Sequence, residues 1–596
     1  ELSLNEDLDA LVNVPALSSS AVAWGDYDSD GDQDLAIMGI GVQDGIVTRL
    51  YENVDGVFVD SNQPNLDPRY EGDLIWSDYD KDGSIDLIVS GLDTSDLPAT
   101  TVYRNVDGIL VPNSDLVLPD LFGSSLDSGD LDNDGDIDFV INGMAIVDGV
   151  NVWKKYIYLR EGESLVQEQD FNNQFGQEGV RNGTIKIADN EFDGDLDIFM
   201  IGESNSKIQN NTFIKPEVQN NWWWNNGYIT DMDNSSAAFF GNYIYYMGQT
   251  NQSNDALKVY KRSLLSGQED EMGIAGLING SIALGDYNND GAVDMVLTGE
   301  NENAESVTKL YDGIATINPG YDPMSYSGFV ENSEIPLIGL RNSTAEWVDY
   351  DGDGDLDLFL TGTSDSGEYT KLYRTDLLNK NNTPADAISG LVFEDLGYGK
   401  VRLSWDVPTD DFSDNLGYIL RLGTTEGGSE ITNTESNLST GQRLITKSAV
   451  IYQNSFETLL DPGNYYWSVQ SVDDGLKGSV FSEENAFVLT YEWKELNQGG
   501  IIDRNINAVS SPVVKLSDID LDNDMDLIYG SSENDNDIQV FTLGAKKFMF
   551  YDMISNSRNV SDIKFLDFNT DDIQDIIINT WDGTGNSFLK LYNSVP

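Results

Sequence analysis

Residues 22–39 read VAWGDYDSDGDQDLAIMG: an acidic nine-residue stretch between two apolar runs. Asp26, Asp28, Asp30 and Asp34 stand at positions 1, 3, 5 and 9, a spacing that lets one tight turn aim several carboxylate oxygens at a hard cation. Gly31 at position 6 permits the sharp bend. Position 7, here Asp32, is expected to offer only its backbone carbonyl.

The stretch recurs. The second copy carries Asp78, Asp80, Asp82, Ser84 and Asp86, and the third Asp130, Asp132, Asp134, Asp136 and Asp138. The fourth has Asp189, Glu191, Asp193, Asp195 and Asp197, the fifth Asp286, Asn288, Asp290, Ala292 and Asp294, and the sixth Asp349, Asp351, Asp353, Asp355 and Asp357. Position 7 varies among Asp, Ser and Ala, as a backbone ligand allows, while the acidic positions hold steady. Two late copies, Asp518, Asp520, Asp522, Asp524, Asp526 and Asp567, Asn569, Asp571, Ile573, Asp575, replace the glycine with Asn523 and Asp572. Both residue types tolerate the left-handed conformation, so weaker sites are expected there. An EF-hand would need flanking helices and a glutamate at position 12; LAIMG, LIVSG and LFLTG occupy that region instead and read as strands. The expected cofactor is therefore calcium, in six strong loops and two weaker ones.

The first ligands fall at 26, 78, 130, 189, 286 and 349, and the double gap after 189 hides a repeat whose loop is lost. There AFFGNYIYYMG (238–248) keeps both strands but joins them at Gly241 and Asn242. Repeats of about 50 residues built of short strands indicate propeller blades, which bury their faces only by stacking in a ring. The expected fold is all-β: a seven-bladed propeller over 1–380, closed by the N-terminal ELSLNEDLD supplying the last blade's missing outer strand. Residues 384–490 read as a fibronectin type III-like sandwich, with Trp405 in its core and Tyr465 after a Pro-Gly turn as a tyrosine corner. Residues 491–596 hold two further repeats and read as part of a second propeller.

These residues carry a resemblance. VAWGDYDSDGDQDLAIMG and its copies resemble the FG-GAP or VCBS repeats of integrin alpha-subunit propellers and of bacterial surface proteins. The order of ring, sandwich and further repeats resembles large proteins of Bacteroidota exported by the type IX system. The resemblance implies structural calcium, a secreted or cell-surface location on the outer face of a Gram-negative bacterium, an adhesive role, and secretion or envelope components as partners. The same ring also occurs in lectins and some polysaccharide lyases, so fold alone does not choose a function.

Composition narrows the options. The 33 basic residues against 103 acids leave a net charge of -70, which disfavours nucleic acid and anionic membrane as partners. With no cysteine and no histidine, disulfides, Cys/His zinc sites and Ser-His-Asp triads are excluded. No GxSxG, HExxH or P-loop pattern is present, and no acid pair stands out for catalysis, so the chain is expected not to be an enzyme. No signal peptide or membrane-spanning run is visible, and the chain is expected to be a mature or trimmed form without membrane insertion. One departure from the repeat remains: Trp222, Trp223 and Trp224, in NNWWWNNG, which we read with the fifth repeat. They serve either as packing between blades or as a stacking surface for a glycan or protein.

Overall fold

A computed structural model describes residues 2–490, apart from 133, 163, 168–178, 190–195, 204–210, 215–222, 226–229, 231, 251–255, 265, 315–327, 378–381, 398, 412–415, 433 and 447–450. Beyond 490 it describes the backbone of seven strands. The chain divides into two compact units, Glu1–Thr490 and Tyr491–Pro596. Every regular element among the described residues is a β-strand, and all named strand pairs are antiparallel.

Up to Leu377 the strands group into four-stranded sheets, of which the described residues show seven. The first comprises Ser18–Gly25, Asp34–Gly41, Gly45–Val54 and Val57–Asp60 in sequential order. The innermost strands of successive sheets lie against one another, and the innermost strand of the last, Arg341–Val348, packs beside Ser18–Gly25. The sheets thus close on themselves in a propeller-type ring. The last sheet takes its outermost strand from the chain's start: Leu2–Glu6 pairs antiparallel with Gly367–Leu377, Leu4 opposite Thr375. That pairing covers an edge that would otherwise offer free N–H and C=O groups.

Strand residues alternate faces, yet the second strand of the first sheet carries no polar side chain after Asp34. The reason is two-sided burial. Leu35 and Ile37 pack toward the last sheet with Tyr350 and Phe359, while Ala36 and Met38 pack toward the second sheet with Trp76 and Leu87. Where the loop is lost, Met232–Phe240 and Tyr243–Thr250 are joined by a two-residue turn with Gly241 at φ 56.

The sandwich has two three-stranded sheets. Val392–Gly397, Lys400–Ser404 and Ser455–Leu459 face Gly417–Gly423, Gly463–Val472 and Asn485–Leu489 around Trp405 and Trp467. Tyr465 donates its hydroxyl to the Asp461 carbonyl at 2.6 Å, the tyrosine-corner bond. In the second unit, four strands from Pro512–Ser517 to Lys547–Ile554 form one sheet, and three from Asn559–Leu566 to Ser587–Tyr592 form another.

Candidate metal loops and the face they build

Within Glu1–Thr490 each acidic stretch lies between the first and second strands of a sheet, so these loops emerge at one end of the ring. The bend lies where expected: Gly31, Gly83, Gly135, Gly291 and Gly354 at position 6 have φ of 111, 90, 89, 81 and 98. Position 4 is also left-handed, with Ser29, Lys81 and Asn289 at φ of 61, 59 and 49. This feature leaves no clear mark in the sequence, because only the sixth copy has glycine there, Gly352.

The position-1 carboxylate closes the loop from within. Asp286 accepts from Asp290 N at 3.1 Å and from Gly291 N at 2.8 Å, and Asp130 accepts likewise from Asp134 N and Gly135 N. Carboxylate oxygens converge within 4.8 Å of one another in four loops: Asp26, Asp28 and Asp34; Asp78, Asp80 and Asp86; Asp130, Asp132 and Asp138; Asp349, Asp351 and Asp353. The fifth loop is not among these groups; its Asn288 donates to Asp294 Oδ2 at 3.1 Å. Of the fourth loop only Asp189, Leu196 and Asp197 are described, and the two late loops between Asp518 and Asp526 and between Asp567 and Asp575 lie outside the described residues.

The donor sets fit a hard cation. Asp86 Oδ2, in a fully buried side chain, and Asp349 Oδ1 are shielded from solvent without a hydrogen-bond donor, which is unfavourable for a carboxylate unless a cation faces it. Burial, reinforced by neighbouring carboxylates, pushes Asp34 up to about 9, Asp86 and Asp138 up to about 8, and Asp78 and Asp130 up to about 7.

Position 9 has a second task that the motif does not reveal. Its carboxylate reaches the third strand of the same sheet: Asn53 N to Asp34 at 2.9 Å, Asn105 N to Asp86 at 2.7 Å, Arg160 N to Asp138 at 2.8 Å, Gly313 N to Asp294 and Thr375 N to Asp357 both at 2.8 Å. The third-strand residue then latches the preceding sheet's loop. Asn53 Nδ2 donates to Tyr350 O and Asn105 Nδ2 to Tyr27 O, each at 2.7 Å, and the Arg160 guanidinium donates to Tyr79 O. The signal was present in RLYEN and TVYRN, where an asparagine follows the position-9 aspartate at a separation of 19.

The sandwich sits on this loop-bearing end. Asp26 N donates to Leu444 O at 2.9 Å, Gly25 bridges Ile445, Gln33 Nε2 donates to Arg443 O at 3.1 Å, and Gln442 donates to Gly31 O. Lys81 reaches Glu430 O at 3.2 Å over the second loop, and Lys477 Nζ lies 3.0 Å from Asp349 Oδ2 over the sixth. Leu444 and Ile445 join the apolar cluster of the first two sheets. Ile445, Thr446 and Leu476 also line a cavity of about 340 Å³ among the innermost strands, where Asp73, Lys186 and Glu346 stand. Asp73 caps Leu126 N at 2.9 Å, so that carboxylate serves a strand edge.

One expectation needs correction. Trp223–Asn225 is the outermost strand of the fourth sheet, Trp224 opposite Phe213, and so does not belong with the loopless fifth. The outer-strand position follows the ordinary order of strands within a sheet, whereas the sequence alone groups the tryptophans with what comes after them. Trp222 lies outside the described residues, as do the side chains of Trp223 and Trp224.

Fold and loops together define an all-β, propeller-type protein with acidic inter-strand loops. No protein-family model matches the chain, and no curated protein matches it. Among solved structures, a mutant of the Aleuria aurantia lectin in complex with alpha-methyl-L-fucoside is similar at 9% identity and a TM-score of 0.31, covering 62% of this chain and 99% of its own. A protein of unknown function from Dyadobacter fermentans is similar at 11% identity and a TM-score of 0.30, covering 63% of this chain and 98% of its own. The fold is defined by its strand pairing.

Proposed function

We propose that the chain is a calcium-stabilised adhesion or scaffold protein, secreted or displayed at a cell surface, that binds a protein or glycan through surfaces of its ring. The observation that carries this reading is the convergence of three carboxylates within 4.8 Å in each of four loops of one repeated design. In it, calcium ties together the first two strands of each sheet that carries a loop and takes no part in chemistry. Six full loops, and two more in the second unit, would bind it. The sandwich covers loops at one end of the ring, so an external partner engages the outer strands or the opposite end. Export by the type IX route and contact with envelope components belong to the same proposal.

The second reading is a carbohydrate-active protein, a lectin before a lyase or glycosidase. What favours it is the place of Trp223 and Trp224, residues suited to stacking on sugar rings, on the outermost strand of a sheet. A glycan array probed with the calcium-loaded chain and with a chelated, still folded sample decides between them. A specific calcium-dependent hit supports the lectin; a blank array with folded protein supports a protein-binding scaffold. Release of reducing ends or unsaturated sugars would overturn the non-enzymatic reading.

A further inference from the structure

A second kind of oxygen-rich site lies where the ring's chain passes into the sandwich, outside the repeated loops. Asp473 follows the strand Gly463–Val472 and opens a tight turn: Asp473 N donates to Lys477 O at 3.1 Å, and Lys477 N to Asp473 Oδ1 at 2.9 Å. Asn382 comes from the segment leaving the ring, and its N–H donates at 2.9 Å to the carbonyl of Gly354 in the sixth loop. Its side chain hydrogen-bonds the Asp473 carboxylate.

Both side chains are only 4% exposed, and each keeps one oxygen with no hydrogen-bond partner: Oδ2 of Asp473 and Oδ1 of Asn382. Asp410, from the segment between Lys400–Ser404 and Gly417–Gly423, adds its negative charge to Asp473, and Lys477 opposes it with a smaller positive contribution. Neighbouring Asp411 binds Thr383 N and Oγ1 at 3.2 and 2.8 Å, which holds the two segments together. Among the described residues Asp473 forms no ion pair; the ammonium of Lys477 is taken by Asp349 Oδ2 at 3.0 Å.

An acceptor-only carboxylate oxygen and an amide oxygen, buried together beside a further carboxylate, demand positive charge as well as a partner. A water molecule can donate to such an oxygen but brings no positive charge to set against Asp473 and Asp410, which Lys477, bound to Asp349, offsets only in part. A cation supplies both, and an all-oxygen donor set selects a hard one over zinc. We propose that Asp473, Asn382 and Asp410 form a calcium site of their own at the junction of ring and sandwich. Its ion clamps the connecting segment to two separate segments of the sandwich beside the sixth loop. The site does not depend on the ring loops binding metal.

Calcium bound per full-length chain, counted by equilibrium dialysis, tests this in the parent, Asp473→Asn and Asp410→Asn. Each variant is expected to bind one ion fewer than the parent and to lose the calcium-dependent protection from hydrogen exchange at residues 473–477. A folded variant that keeps the parent count and protection overturns the site. Asp410 is only partly buried, so Asp410→Asn carries the test if Asp473→Asn fails to fold. An Asp28→Asn, Asp80→Asn double variant is counted alongside. If it alone matches the parent, the ring-loop reading fails and the junction site stands.

Discussion

At the residue scale, position 9 is the hinge of the account. Asp34, Asp86, Asp138, Asp294 and Asp357 are all fully buried, and each holds its own sheet's third strand while facing the loop. The latch beyond it is testable. Asn53→Ala removes the donor to Tyr350 O and the acceptor of Gly56 N, and should cost about 1–3 kcal/mol in denaturant unfolding. Ser29→Gly relieves a left-handed serine outside the ligand positions and should stabilise by roughly 1 kcal/mol, read in the same experiment. The convergence of carboxylates was legible because the acidic loop is local: its acids lie within nine residues of chain. The latch was not, because its partners lie on another strand or on the neighbouring sheet and no periodicity marks them.

At the element scale, the strands were legible from their apolar runs, and burial on both faces explains why Leu35 to Met38 do not alternate. Pairing of the chain's start with Gly367–Leu377 was legible from a missing outer strand rather than from any local preference. Removing residues 1–6 should therefore lower the ring's thermal midpoint and promote aggregation, measured by light scattering during heating. The sheet of Trp223 and Trp224 is not legible in the sequence, because outer strands are short and weakly patterned and only order along the chain places them. In the sandwich, Tyr465→Phe deletes one hydrogen bond to a backbone carbonyl and should cost about 1 kcal/mol. Seating of the sandwich on the ring was not legible at all. Leu444 and Ile445 read as an ordinary short apolar pair until their partners, Leu74 and Trp76 among them, are seen beside them.

At the scale of the whole molecule, the loops gather negative charge at the end of the ring where the sandwich sits, in a chain of net charge -70. The sign of the pH dependence follows. Asp34, raised to about 9, and Asp86 and Asp138, raised to about 8, all lie above their free value of 3.8. In chelator the folded state therefore binds more protons than the unfolded one. The stability this supplies is complete below about pH 4 and lost as pH climbs through the folded values. Calcium must displace those protons, so its stabilising effect should be larger at pH 8 than at pH 5. The measurement that tests the central claim most directly is thermal unfolding of the full chain at pH 8, in chelator and with calcium at about ten times its dissociation constant. Each filled loop should add about 1.4 kcal/mol, so the ring's midpoint should rise by many degrees with calcium and fall back on chelation. An unchanged midpoint, with no calcium bound in a parallel titration, would contradict the account.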